Sequence, residues 1–388
     1  MAILIVDDNA TNVMVIQEML RRAGYEQLKI AYSAEEMFGI LGNPVAADGI
    51  PCPQIDLILL DLMMPAMDGI EACRRLQANV LFKDIPVIMV TAIGDSRKLA
   101  EALDAGAIDF VTKPINKTEL LARIRSALKL KRELDWHKER DSRMRQELTL
   151  ARQVQESVLP DQVVDANIRI QAYFRASEEL AGDLYAWHKI DDNRWAIAVI
   201  DAMGHGLSSS LVSMFIASIL KESMRTLWSP VRVFNELNRR LMSLQCENEL
   251  IQYYCTGIYV TLDLERGKAE YANAGHPSGL LYSDDGFPPR KLEVGSAPLG
   301  LFEHLDIVAS SISIAPGDTL YLYTDGILGP FQGEDEAQLE QLGEFLHQAK
   351  KDEESIERLI TCQPLDGRSD DRCLVRIQVM PGGTPSED

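Results

Sequence analysis

At 388 residues, with 46% hydrophobic and 25% charged residues, the chain is globular and too long for one ordinary core, so two domains are expected. A formal charge of −20 argues against a nucleic-acid or anionic-membrane surface, because phosphate is bound mainly by Lys and Arg. The six cysteines (Cys52, Cys73, Cys246, Cys255, Cys362, Cys373) form no C-x-x-C pair, no signal peptide is visible, and no apolar run reaches the ~18 residues of a membrane span, which together point to a cytoplasmic chain.

The first part, 1–124, alternates short apolar runs with amphipathic ones. Runs 3–6, 28–32, 56–60, 87–91 and 110–112 are strand-like, while 10–23, 34–41, 70–79, 97–105 and 117–130 carry apolar residues at helical spacing. This repetition predicts an α/β fold, a doubly wound five-stranded parallel sheet whose ligands gather beyond the carboxyl ends of the strands. Asp7 and Asp8 end the first strand, Asp61 the third, Thr91 the fourth and Lys113 the fifth. All five should meet at one edge. Carboxylates clustered there need a cation, so the three acids read as a Mg²⁺ site in which one acid attacks an incoming phosphoryl group. Lys113 would pair with the phosphoryl oxygens, Thr91 would donate a hydroxyl, and Pro114 is expected to be cis. The alternative, that these are turn and cap residues, must explain five strand ends at once. The segment 42–54, with Pro44, Pro51 and Pro53, reads as a surface loop.

The words V-D-D-N, L-D-L-M-M-P-x-M-D-G, V-T-A and T-K-P-I resemble the receiver domain of bacterial two-component response regulators. The resemblance implies phosphorylation of Asp61 by a sensor histidine kinase, Met63 as a backbone metal ligand, and Phe110 as the aromatic that moves on activation.

From 125 to 159 there is no proline or glycine, and Lys, Arg, Glu, Gln and Leu dominate, so one long helical linker (125–160) is expected to continue the last receiver helix until Pro160. In heptads, Leu130, His137, Met144, Ala151 and Val158 form one seam column, with Leu134, Asp141, Leu148 and Gln155 in the other. That mixed seam suits a coiled-coil homodimer whose register responds to the receiver, or else a solvated single helix. The segment A-R-Q-V-Q-E-S-V-L-P resembles the lead-in to SpoIIE-type and RsbU-type phosphatase domains.

The rear domain, 161–380, turns β-rich: 168–174, 184–190, 195–200, 257–263, 269–274, 279–282, 307–313, 319–324 and 373–379 read as strands, with helices at 208–227, 230–244 and 337–346. An α+β fold is expected, an antiparallel β-sandwich flanked by helices. Asp183 follows Gly182 at a strand start, Asp201 and Asp325 each end an apolar run, and Asp370 with Asp371 precedes the last strand. Hard oxygen ligands select Mg²⁺ or Mn²⁺ over Zn²⁺, and two such ions activate a water for attack on a phosphate ester. The acidic stretch 333–358 reads as a flap or a solvated helix, and 381–388 as a disordered tail.

The words A-G-D-L-Y, D-A-M-G-H-G, N-A-G-H-P, L-Y-T-D-G-I and S-D-D-R-C resemble the PPM family (protein phosphatase 2C-like) of metal-dependent serine/threonine phosphatases, in its SpoIIE-like branch. The resemblance implies that Asp201 bridges two metals with help from the Ala202 carbonyl, that Asp325 and Asp370, with Asp371 beside them, complete one ion, and that Asp183 holds the other. His205 would protonate the leaving serine oxygen, or else serve the turn; His276 reads as structural. The chain departs from the family at Ala186, Gly329 and Cys373, and none of these removes a carboxylate. The joint expectation is a response regulator whose Asp61 phosphorylation controls a phosphatase acting on a phosphorylated STAS-type anti-sigma-factor antagonist. A receiver-controlled binding scaffold is the rival. A transcription factor lacks its basic helix-turn-helix segment.

Overall fold

The computed structural model describes residues 1–42, 55–92, 96–204, 206–244, 253–283, 286, 288–362 and 370–381. The expected loop at 42–54 and the expected tail fall almost wholly outside these residues. The chain divides into two compact units, Met1–Met144 and Arg145–Asp388.

The front unit runs β1 (Ala2–Val6), α1 (Ala10–Arg21), β2 (Gln27–Ala31), α2 (Ala34–Gly42), β3 (Ile55–Asp61), α3 (Gly69–Ala78), β4 (Val87–Ala92), α4 (Ser96–Asp104), β5 (Asp109–Lys113) and the first part of α5 (Lys117–Val158). Its strands are parallel in the order β2-β1-β3-β4-β5, the doubly wound sheet expected from the alternation. β1 is apolar at every position because both faces are covered. Leu4, Ile58, Leu60 and Met89 face Met37, Ile70 and Leu76 of α2 and α3, whereas Ile3, Ile5, Leu57, Leu59 and Val90 face α1 and Leu120, Ile124 and Leu128 of α5. Each such fully buried aliphatic side chain contributes about 1.5–3 kcal/mol. Local signals start the helices: Asn9 caps α1 by accepting from the Thr11 N–H, and Asp68 caps α3 by accepting from the Glu71 N–H.

The rear unit contains the end of α5, then β6 (Val163–Val164), β7 (Ile168–Arg175), β8 (Asp183–Lys189), β9 (Arg194–Ala202), α6 (Leu207–Thr226), α7 (Pro230–Met242), β10 (Cys255–Asp263), β11 (Lys268–Ala274), β12 (Gly279–Tyr282), β13 (Arg290–Leu292), β14 (Ala309–Ser313), β15 (Thr319–Tyr323), a 3₁₀ turn (Asp325–Ile327), α8 (Asp335–Gln348), α9 (Glu353–Thr361) and β16 (Arg372–Val379). Two antiparallel sheets, β14-β11-β10-β9-β8 and β13-β12-β15-β16-β7-β6, pack face to face. Alternation along β9 shows why: Ile197 and Val199 lie between the sheets, while Ala196, Ala198 and Ile200 lie under α6 and α7. On the far side, Tyr282, Tyr321 and Tyr323 lie under α8 and α9. The acidic stretch therefore forms two helices whose apolar faces, including Leu342, Leu346, Ile356 and Leu359, are buried. Strands β6 and β13 and helix α9 were not legible in the pattern, the strands because two or three residues carry no period and α9 because charge dominates it.

Candidate functional site

At the carboxyl edge of the front sheet, Asp7 and Asp61 are buried and Asp8 is exposed. Their ligand oxygens lie within 4.8 Å of one another. Lys113 Nζ stands 2.9 Å from Asp7 Oδ2 and 3.0 Å from Asp61 Oδ1, so one cation is already shared by two of the acids. The Asn9 N–H and the Asn12 amide both donate to Asp7 Oδ1, at 2.9 and 3.1 Å, and fix that carboxylate. Burial, opposed by the Lys113 hydrogen bond, raises the Asp61 pKa above the usual carboxylate range, and the Asp7 charge adds to the rise. Burial is also the largest influence on Lys113 and acts downward, but its bonds to Asp7 and Asp61 together outweigh it and leave the ammonium pKa raised. Thr91 is buried at the end of β4, and its hydroxyl donates to the Ala92 carbonyl at 3.3 Å. Met63 is exposed, with Lys98 Nζ 3.8 Å from its sulfur. Phe110 is half-buried, with the Arg123 guanidinium 5.4 Å over its ring. The Lys113–Pro114 peptide is cis. A side chain at Gly69 would put its Cβ 2.3 Å from the Asp61 carbonyl, so α3 can start this close to Asp61 only with glycine there.

In the rear unit, Asp183 opens β8 and pairs directly across the ladder with Asp201 near the end of β9. Opposed residues of an antiparallel pair project from the same face, so two carboxylates are forced together. Asp183 is buried, and its Oδ2 accepts the Thr324 hydroxyl at 2.7 Å; that hydroxyl accepts the Cys373 N–H at 3.0 Å. Burial and then the Asp201 charge raise the Asp183 pKa well above its ordinary value, with Thr324 acting the other way. Asp201 is pushed up to about 8 by burial, then by Asp325, Asp370 and Asp371. Asp325 begins the 3₁₀ turn; accessible to solvent yet crowded by protein on its other side, it is raised by desolvation and then by Asp370. Gly326 is required beside it, since a Cβ there would lie 2.0 Å from the Asp371 carbonyl oxygen.

Asp370 is exposed and accepts the Asp371 N–H at 2.8 Å. Asp371 is buried and turned to the backbone: its two oxygens accept the Ser177 N–H at 2.7 Å and the Gly182 N–H at 2.6 Å. Ala202 is buried, its N–H 3.4 Å from the Gly182 carbonyl. His205 lies outside the described residues. His276 is buried; its N–H donates to Asn273 Oδ1 at 2.9 Å, and its Nδ1 lies 2.8 Å from the Thr256 hydroxyl.

Among the described residues, the groups that most shift Asp183, Asp201 and Asp325 include neighbouring carboxylates and no lysine or arginine, in contrast to the front site. Carboxylates that raise one another in this way offer hard oxygen ligands, which fit a divalent cation such as Mg²⁺ or Mn²⁺. Among the described residues no three of these rear acids bring ligand oxygens within 4.8 Å, so they line a wider space than the front trio. Sequence reasoning missed Thr324, although it directly precedes Asp325, because a threonine at a strand end is more often a turn residue. It also placed Gln155 in the linker seam, whereas its amide bonds the Ala181 backbone.

Residues 3–125 match the response regulator receiver domain family, and residues 191–380 match the stage II sporulation protein E (SpoIIE) family. The chain thus joins a receiver domain to a SpoIIE-type domain with the PP2C phosphatase fold. Among curated proteins, the phosphoserine phosphatase RsbP of Bacillus subtilis is 40% identical over 186 residues, covering 48% of this chain and 46% of RsbP. The phosphate regulon transcriptional regulatory protein PhoB of Pseudomonas aeruginosa is 41% identical over 127 residues, covering 33% of this chain and 51% of PhoB. The chain therefore spans about half the length of each of these relatives. The SiaA-PP2C domain of Pseudomonas aeruginosa superposes with a TM-score of 0.52 at 20% identity, over 61% of this chain and 98% of that one, a likeness of fold. Among the described residues no helix is long and apolar enough to cross a membrane.

Proposed function

We infer that the protein is a metal-dependent phosphoprotein phosphatase whose turnover is set by phosphorylation of Asp61. The observation that carries this reading is the pairing of Asp183 with Asp201 across the β8–β9 ladder, with Asp325, Asp370 and Asp371 close enough to raise the Asp201 pKa further. Asp201, with Asp183 paired to it across the ladder, Asp325, Asp370 and the Ala202 carbonyl, would hold the divalent ions. Two bound Mn²⁺ or Mg²⁺ ions supply an activated water and counter-charge for the phosphoryl group. Thr324 holds the Asp183 carboxylate in place, Asp371 holds the loop leading to it, and His205 is the candidate proton donor to the leaving oxygen. The substrate is phosphoserine or phosphothreonine on a STAS-type anti-sigma-factor antagonist, in keeping with the likeness to a phosphoserine phosphatase.

At the front site Asp7, Asp8 and Asp61 hold Mg²⁺, with the Met63 carbonyl as a further ligand. A sensor histidine kinase supplies the phosphoryl group. One Asp61 oxygen bonds phosphorus as the bond to the donor breaks, and Lys113 Nζ and the Thr91 hydroxyl take up the new oxygens, with Phe110 reporting the change. The protein works in the cytoplasm as a homodimer joined through receiver and linker, divided as receiver 1–124, linker 125–160 and phosphatase 161–380. The test is phosphate release from a phosphoserine protein in Mn²⁺. Asp201→Asn should lose more than about 100-fold, beyond the usual cost of an outer-sphere partner, and the metal-free variant should unfold no earlier than wild type. Undiminished turnover in that variant refutes the metal assignment; stoichiometric capture without turnover by the wild type makes the protein a scaffold instead.

A further inference from the structure

The loop that leads from β7 into Asp183 is held by two side chains that are remote from it in sequence. Asp371 accepts from the Ser177 and Gly182 N–H groups. Gln155 takes the residue between Gly182 and Leu180: its Nε2 donates to the Ala181 carbonyl at 2.6 Å, and its Oε1 accepts the Ala181 N–H at 3.1 Å. A primary amide that meets the N–H and the C=O of one residue occupies that residue's only backbone donor and one lone pair of its acceptor, and so grips the peptides on both sides of it. Gln155 is only 6% exposed, whereas Val154 beside it on α5 is 58% exposed, so the helix turns its polar residue inward and its apolar one outward. Ordinary amphipathic packing predicts the reverse. The clamp must therefore account for the burial.

Displacement of Ala181 has nowhere to dissipate before it reaches the acids. Gly182 follows, and a Cβ there would lie 2.9 Å from the Ala202 carbonyl oxygen, so this peptide is wedged against the end of β9. Asp183 comes next. The Gln155 amide stands on the same continuous helix whose Leu120, Ile124 and Leu128 belong to the front core. N–H···O hydrogen bonds span about 2.7–3.2 Å and are lost by about 3.6 Å, so an α5 displacement of about 1 Å either carries Ala181 with it or breaks the clamp.

We propose that Gln155 is the positioning residue through which helix α5 sets the place of Asp183, by clamping the Ala181 peptide. This rests on the phosphatase reading. It assigns Gln155 to the metal-binding loop and removes it from any helix–helix seam.

The experiment uses full-length protein with Gln155→Ala and, to keep volume and helix propensity, Gln155→Met. Three readouts are taken: amide hydrogen exchange at Ala181 and Gly182 without metal, Mn²⁺ affinity by calorimetry, and turnover with and without acetyl phosphate. Both variants should speed exchange at Ala181 and weaken Mn²⁺ binding about tenfold, the worth of one or two lost hydrogen bonds, and should lower kcat while leaving KM for the phosphoprotein unchanged. The increment produced by acetyl phosphate should vanish. Wild-type Mn²⁺ affinity and an intact acetyl phosphate response alongside a deprotected Ala181 amide would overturn the proposal, leaving a local brace. Should wild type release no phosphate at all, the phosphatase reading fails separately, while exchange and calorimetry still decide on Gln155.

Discussion

His276 shows how burial turns a titratable residue into a framework piece. It lies against Thr256, which pairs across the ladder with Asp201, so the ring stands one residue away from the acidic cluster. Burial drives its pKa down from 6.5 to about 3. The folded state thus prefers neutral imidazole. Its contribution to stability is fully present above pH 6.5 and is lost as pH falls towards 3. Asp201 has the opposite sign: raised to about 8, it favours the metal-free fold at low pH and loses that contribution as pH rises through 8. Urea unfolding of His276→Gln and wild type at pH 7, 5 and 4 separates the two, because only the histidine contribution differs. The gap between the proteins should narrow as the pH falls; a gap that stays constant means His276 is not buried neutral.

At the scale of the element, α5 is the unusual piece. It is one 42-residue helix. Its first turns are buried by Leu120, Ile124, Ala127 and Leu128, and Lys131 and Lys138 add ion pairs to Asp135 and Asp84. Beyond that, Leu134, Trp136, Met144, Leu150 and Val154 are exposed, so the middle of the helix has no core of its own within one chain. Of these, Leu134 and Met144 lie in the heptad seam that a parallel partner helix would cover in the proposed dimer, whereas Trp136, Leu150 and Val154 lie outside it. Two glycines inserted between Met144 and Arg145 cost about 1 kcal/mol each in helix stability and break its continuity. Phosphatase turnover without phosphodonor should persist, and its response to acetyl phosphate should disappear. A response that survives the insertion would exclude α5 as the relay.

Over the whole molecule, two acidic sites of the same chemical kind are handled differently. The front site contains its own cation, since Lys113 spans Asp7 and Asp61. In the proposed function, a phosphoryl group arriving there would meet a lysine already in place and would alter its pairing. At the rear site Asp201 is raised by Asp325, Asp370 and Asp371, and in the proposed function added divalent ion would relieve that repulsion. Two consequences are measurable. Asp61→Asn should make phosphatase turnover insensitive to acetyl phosphate, and a variant that still responds would show that the front site is not the switch. Chelation should lower the thermal unfolding temperature of the wild type more than that of Asp201→Asn, because the metal binds the folded state; equal shifts would mean that Asp201 holds no ion.

Much of this was legible in the residues alone. Period-2 and period-3.6 patterns set which faces are buried, and each apolar run ending in an acid announced a strand end, as at Asp7, Asp61 and Asp201. The pairs Asp68-Gly69 and Asp325-Gly326 were visible as words, and the structure supplies their common cause: in each a Cβ on the glycine would collide with a carbonyl oxygen, of Asp61 in one case and Asp371 in the other. Tertiary structure alone decided the rest. The Asp183–Asp201 register, the Thr324 hydroxyl on Asp183, the turning of Asp371 towards Ser177 and Gly182, and the Gln155 clamp join residues 18 to 194 positions apart. Periodicity encodes which side of an element leaves water; it does not encode which distant peptide a polar side chain meets there, because that depends on how packed elements are placed against one another.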